Sequence, residues 1–418
     1  MSKNHAQFCI SNETKIGKTC SSWMGLFLSL YLFLPVVLPN SLRPISIIVF
    51  VAVGIISTIS VSKCDNRIPL FLYLAASCVT IFYLIIGMGK TVNDSAPWVL
   101  FVYIVSPFVW IVYWINILKN VSVVILVNYF VFYSIIACSS LFLFFYLFTN
   151  FGPSAVSFFI AESNVRFSDG SSGATMHVFG SLIFLSAAFV ASPDVVENKK
   201  LRILLLILLA TTSLLSGRSA LILAVIIGMA FKFVFLNNFM RIKYFLFLIF
   251  YACILALIMS FFSSFSEDGM GISLFQIIID MMTKISEGGG EERVDQFNSL
   301  TDGILDSSFF GAGHGVSSSI IRNEESPWKY ELLWISTIYH VGILGSFIYS
   351  IPILLVIWEF LRLKNRKLLN KFDIFIFSGF VSILVASNTN PYFESFDFQW
   401  MLVFPCVYFY RRWSNFSK

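Results

Sequence analysis

Long apolar runs follow one another through this chain with only short polar breaks, and that pattern decides what it can fold into. A run of about 18 or more apolar residues matches the roughly 30 Å hydrocarbon core of a bilayer. In that core, backbone N–H and C=O groups are satisfied only inside helices or closed barrels. The runs fall at about 23–39, 45–61, 69–88, 97–118, 121–149, 176–192, 201–216, 219–236, 242–265, 329–358, 372–388 and 398–412. Charged residues make up 12% of the 418, against about 25% in a soluble domain, too few to cover a water-soluble surface of this size. The expected fold class is all-α: a polytopic membrane protein of about 12 transmembrane helices. Runs 201–216 and 219–236 almost touch, so ten or eleven spans are the alternative count. The first run carries no small-residue cleavage site and is followed at once by another, which argues against a cleaved signal peptide.

Lys and Arg then orient the chain. With the N-terminus inside, twenty of the 28 basic residues fall in inner segments and eight in outer ones, while 17 of the 23 acidic residues fall outside. That bias fits an even span number with both termini cytoplasmic. The expected organisation is a block of nine spans over 1–265, an outer loop domain at 266–328, and three further spans over 329–418. The seven cysteines lie in or beside inner segments or within runs, and no CxxC or Cys/His pairing occurs. Neither a disulfide framework nor a zinc site is therefore expected.

Two outer segments are more than turns. One is 150–175, with Glu162, Arg166 and Asp169. The other is 266–328, and a polar loop of that length is usually functional or disordered. Within it, 270–285 (MGISLFQIIIDMMTKI) reads as an amphipathic helix at the membrane interface. Residues 293–308 place Val294, Phe297, Leu300, Ile304 and Leu305 at near-helical spacing. Gly288–Gly290 separate the two, and Gly311, Gly313 and Gly315 punctuate the end. The expectation is a small helical lid over the outer mouth.

Charges near span ends at membrane depth are costly and call for a specific reading. Arg218 sits in Ser216-Gly217-Arg218-Ser219, between two runs with almost no loop. It reads either as a guanidinium fork for phosphate oxygens or as a snorkelling arginine that marks the interface. Arg166 has the same two readings, plus a salt bridge to Asp169 or Glu162. Arg293 opens the second lid helix, as a phosphate ligand or a solvated surface charge. Glu331, in Trp328-Lys329-Tyr330-Glu331, is read at the start of a span. There it is either favoured by the helix dipole or a general base whose partial burial raises its pKa. His314, within Gly311-Ala312-Gly313-His314-Gly315, is a base or an orienter. His177 and His340 read as packing residues. No P-loop pattern occurs, so no ATP-driven machine is implied. The first outer loop, 39–44, has no acidic residue where oligosaccharyl transferases that work through a divalent metal typically place a carboxylate, which argues for metal-independent chemistry; no cofactor is expected.

These pieces together resemble a known family. Arg166 to Gly173 before one span, Ser-Gly-Arg-Ser-Ala at 216–220, a large outer loop with Arg293 and Gly311-Ala312-Gly313, and Gly342-Ile343-Leu344-Gly345 after it look like the O-antigen polymerase and ligase superfamily. The resemblance covers about residues 150–350. It implies a GT-C-like membrane fold in the bacterial inner membrane. It also implies an inverting glycosyltransferase whose donor is an undecaprenyl-diphosphate-linked glycan. Arg166, Arg218 and Arg293 would match the diphosphate-holding arginines. Ligases of this type carry His-Asn eleven residues before the Gly-rich turn, whereas this chain has Glu331-Leu332 there. That departure favours the polymerase of O-antigen or capsule repeat units over the ligase. Implied partners are the lipid-linked glycan, membrane lipid and a protein that sets chain length; no nucleic acid is expected. The rival from another class is a precursor transporter or flippase. Such a protein would show related halves and polar residues at the midplane, and neither is evident here.

Overall fold

The computed structural model describes residues 23–38, 43–60, 67–90, 95–151, 165–167, 174–176, 180–216, 218–235, 291–322, 324 and 326–416. In chain order its helices are α1 (Trp23–Tyr31), α2 (Phe33–Val37), α3 (Arg43–Ser60), α4 (Arg67–Met88), α5 (Ser95–Asn120) and α6 (Val123–Phe151). They continue with α7 (Gly180–Ala191), α8 (Lys199–Leu215), α9 (Ser219–Phe235), α10 (Glu291–Asp306), α11 (Leu333–Asn365), α12 (Lys371–Ala386) and α13 (Trp400–Phe416). Apart from a two-stranded antiparallel ribbon, β1 (Val165–Phe167) against β2 (Ala174–Met176), the described elements are helical.

Among the described residues, four helices are long and apolar enough to cross a membrane: Pro69–Met88, Ser95–Asn120, Val123–Phe144 and Leu333–Asn365. Four more apolar stretches, Gly25–Val37, Pro44–Ile59, Gly180–Ala191 and Ser219–Phe235, are shorter. These helices mark a membrane protein. The expected run at 242–265 and the interfacial helix at 270–285 lie outside the described residues.

Where boundaries differ from expectation, a local cause is visible. The first run breaks at Leu32, because Pro35 has no N–H to give Tyr31 and its ring crowds that carbonyl. Of the run expected at 176–192, Met176 belongs to the ribbon and the described helix covers Gly180–Ala191. The run expected at 329–358 is shifted inward. Residues 326–332 form a tied turn, with Lys329 N–H donating to Ser326 O, and the helix starts at Leu333. At its other end α11 continues to Asn365 because Arg362 pairs with Glu359 one turn earlier, at 2.7 Å.

Helices α7, α9 and α12 pack together, as do α4 with α11, α5 with α13 and with α3, and α10 with α11. The core between them is aromatic. Trp110, Trp114 and Trp400 are fully buried, and Trp114 stacks on Phe404 with ring centroids 4.3 Å apart. Burial of such rings carries most of the packing energy. The six described ion pairs each join residues that the charge pattern puts on one side. Asp194 holds Arg202 and Lys232, Glu359 holds Arg362 and Asp373 holds Arg412, while Glu331 holds Arg293 and Arg322.

One break organises the end of the bundle at which α10 packs. Gly342 interrupts α11 with φ 64° and ψ −176°. A break inside an apolar helix strands carbonyls and an amide that need new partners. The segment after α10 supplies them. Ala312 N–H donates to Tyr339 O at 2.7 Å, Gly313 N–H to His340 O at 2.9 Å, and Ile343 N–H to Phe309 O at 3.1 Å. His314 N–H donates to Tyr83 O of α4 at 2.9 Å. Backbones approach this closely only because Gly311 and Gly313, both at positive φ, face Gly342 and Gly87. The break leaves residues 343–365 as one span of about 35 Å. The piece of α11 before the break instead joins α10 in a small core of Leu300, Ile304, Ala312, Val316, Tyr330 and Tyr339.

Candidate functional site

The cap formed by α10 and the segment after it joins two of the expected residues, Glu331 and Arg293. Glu331 precedes α11 rather than opening its first turn, and its side chain is 17% exposed. Its Oε2 accepts from Arg293 Nε at 2.5 Å and its Oε1 from Arg322 Nη2 at 2.7 Å. Its backbone N–H donates to Gln296 Oε1 of α10 at 3.1 Å. Both carboxylate oxygens therefore hold guanidinium groups, an arrangement that fixes two arginines at the mouth. Arg293, the third residue of α10, reaches further and donates from Nη2 to Thr389 O at 3.3 Å.

Arg218 arrives from the α8–α9 corner and donates from Nη1 to the Tyr392 hydroxyl at 3.1 Å. Arg218 and Arg293 thus both bind the segment Thr389–Tyr392, in the loop between α12 and α13. Arg166 lies in β1, opposite Thr175 of β2.

Sequence reasoning passed over that loop and over Arg322. The signal was present. Residues 387–397 (SNTNPYFESFD) combine turn formers, two aromatics at 392–393 and two acids on the side that carries few cations. Its register is fixed by Gln399, whose Nε2 donates to Val102 O and Phe393 O, each at 2.8 Å. Val102 O is available because α5 winds as a π-helix over Phe101–Val105, a defect common at functional sites. Trp110 Nε1 donates to Phe396 O at 2.7 Å and clamps the far end.

The same π turn presents Tyr103 to Glu394. The Tyr103 hydroxyl donates to Glu394 Oε1 at 3.3 Å, and Glu394 is buried. Burial pushes the Glu394 carboxyl up to about 7, against the opposing pull of Lys329, the Tyr103 hydroxyl and Arg322. Lys329 lies over the Trp98 ring, 4.4 Å from its centroid.

His314 is buried 4.7 Å from the Tyr103 ring, with Nε2 3.2 Å from the Tyr349 hydroxyl. Burial, with the His340 imidazole beside it, holds the His314 imidazole well below its ordinary range. That direction favours the neutral imidazole, which is hydrogen-bonded to Tyr349. His340 is likewise buried, with Nε2 3.2 Å from Val316 O.

Below this network lies an apolar cavity of about 250 Å³ between α4, α5, α11 and α13. It runs from Trp334 and Phe393 at the arginine end to Trp358 and Trp413 near the opposite face. Phe393 belongs to both the cavity wall and the loop that the arginines bind. Among the described residues, no cluster of three or more His, Cys, Asp or Glu has metal-binding geometry.

The position of Glu331 yields a test. Truncation by Glu331→Ala leaves Arg293 and Arg322 facing each other without their shared anion. Since the pair is neither fully buried nor fully exposed, a loss of about 1–3 kcal/mol is expected. Glu331→Gln keeps one acceptor and should lose less. Thermal unfolding in detergent reads this order; equal stability of all three proteins would remove the anchoring role.

No protein-family model, curated protein or solved structure matches this chain.

Proposed function

We propose that this chain is a metal-independent inverting glycosyltransferase. It polymerises undecaprenyl-diphosphate-linked oligosaccharide repeat units into O-antigen or capsular polysaccharide. The reading takes about 12 spans in a GT-C-like arrangement, both termini cytoplasmic, and chemistry at the periplasmic face of the bacterial inner membrane. The observation that supports it best is the meeting at Phe393. A membrane-deep apolar cavity ends there, beside the segment Thr389–Tyr392 that carries Arg218 and Arg293. An isoprenoid diphosphate has the same two parts in the same order, a long apolar tail and a compact dianionic head. Guanidinium forks suit that head, and a low-dielectric mouth strengthens their pull.

In the reaction, the acceptor hydroxyl oxygen of one lipid-linked unit attacks the anomeric carbon of the donor chain. The bond from that carbon to the diphosphate breaks, and the electron pair leaves with the diphosphate. Arg218 and Arg293 neutralise the charge that develops there. Glu331 and Arg322 hold Arg293 in position. A protein that sets chain length is the partner this activity calls for.

Deletion of the gene, followed by gel separation of surface glycan, tests the reading. The expected result is a single repeat unit on the lipid core in place of a ladder, restored by the full-length protein. Long chains accumulating on the undecaprenyl carrier, with no core-linked glycan, would make the protein the ligase instead. An unchanged ladder would remove both.

A further inference from the structure

Two carboxylates face the outer mouth, and their environments are opposite. Glu331 has both oxygens bound by guanidinium groups. Glu394 has no arginine or lysine within ion-pair distance among the described residues. Its Oε1 is oriented by the Tyr103 hydroxyl, while Oε2 is buried with no hydrogen-bond partner among the described residues. A buried carboxylate oxygen without a partner is costly, and such a group in a native fold calls for a reason.

Glu394 also lines a small cavity with Trp98, Tyr103, His314, Trp328 and His340. That cavity measures about 10 Å³, close to the room one water or one hydroxyl needs. A buried acid beside a space of that size suits a single hydroxyl reaching in from a sugar held outside it. Glu394 lies two residues from Tyr392, the partner of Arg218, so base and phosphate cradle share one short rigid segment.

We propose that Glu394 is the general base that accepts the proton of the acceptor sugar hydroxyl, a role that rests on the glycosyltransferase reading above. The proton passes from the hydroxyl to Glu394 Oε2 as the sugar oxygen bonds to the anomeric carbon. The anomeric carbon–oxygen bond to the diphosphate breaks, and its electron pair leaves on the diphosphate held by the arginines. Glu394 returns its proton to water when the product moves off. Tyr103 is a positioning residue: it holds Oε1 and leaves Oε2 without a hydrogen-bond partner among the described residues. The groups facing Glu394 from neighbouring elements are Tyr103 of α5, Lys329, Arg322 and Tyr330 of the cap, and His314 with His340 across the cavity. Burial keeps the carboxyl about half protonated near pH 7, where a general base works well.

The test uses the full-length protein in lipid nanodiscs with undecaprenyl-diphosphate-linked single repeat units from a strain lacking it. Initial polymerisation rates are followed from about pH 5 to 9. Wild type should show an acid limb centred near pH 7, because only the ionised carboxylate accepts a proton. Glu394→Gln should lose about 10²–10⁴-fold in rate and show no such limb. Tyr103→Phe should keep the rate within about tenfold and move the limb to higher pH, because the lost hydroxyl favoured the charged form. A shift of the profile is a readout that a purely structural role does not produce. Glu394→Gln polymerising at the wild-type rate, or a limb unmoved in Tyr103→Phe, overturns the assignment alone. Absence of polymer from wild type removes the polymerase reading and this base with it.

Discussion

Gly342→Val is expected to unfold the outer cap. At φ 64° and ψ −176°, a region essentially reserved for glycine, a side chain costs about 1–3 kcal/mol by itself. A Cβ there would sit 2.6 Å from Phe309 O and from two backbone atoms of Phe310, none of which is a flexible side-chain end. To relieve that overlap the 309–313 segment must withdraw. Withdrawal strands Tyr339 O, His340 O and Ile343 N, and each unsatisfied buried group costs about 1–3 kcal/mol. The sum is several kcal/mol, a large part of the 5–15 kcal/mol that typically holds a domain together. Melting temperature and folded yield in detergent are the measurements. Gly89→Ala is the control, since a Cβ there comes no closer than 3.5 Å to any neighbour and should change little. If Gly342→Val melts with the control, the break is not what seats the cap.

Arg218→Ala is expected to abolish polymer formation while the protein stays folded. Arg218 donates to the Tyr392 hydroxyl at 3.1 Å, and loss of that bond costs about 1 kcal/mol. Its value to a diphosphate leaving group is larger. Loss of one preorganised donor at a developing charge typically costs about 10²–10³-fold. Arg218→Lys keeps the charge but not the bidentate fork and should fall between. Tyr392→Phe removes only the hydrogen bond and should retain most activity. Rates with lipid-linked repeat units at matched protein levels separate these outcomes. A wild-type rate from Arg218→Ala would detach this arginine from the chemistry.

The membrane-protein class was legible in the sequence because it depends on run length and on charge scarcity, both one-dimensional quantities. The grouping of charges was legible for a related reason. A charge cannot cross the apolar core cheaply, so Asp194 meets Arg202 and Lys232 while Glu331 meets Arg293 and Arg322. The second lid helix, expected over 293–308, forms at Glu291–Asp306 because its apolar spacing is helical and its buried Leu300 and Ile304 find Tyr330 and Tyr339.

What those arginines touch was not legible. Glu331 looked like the base because it stands before a long span, but Arg293 and Arg322 reach it from α10 and the cap loop, and only packing brings them there. In the sequence Glu394 is one acid among several. Its burial follows from a π turn in α5 nearly 300 residues away in sequence, whose free Val102 carbonyl receives Gln399 and draws the loop inward. Local pattern fixes which segments enter the membrane, since that is a transfer cost summed along the chain. The tertiary structure alone decides which oxygen is left without a partner, since that depends on atoms meeting from segments the sequence keeps far apart.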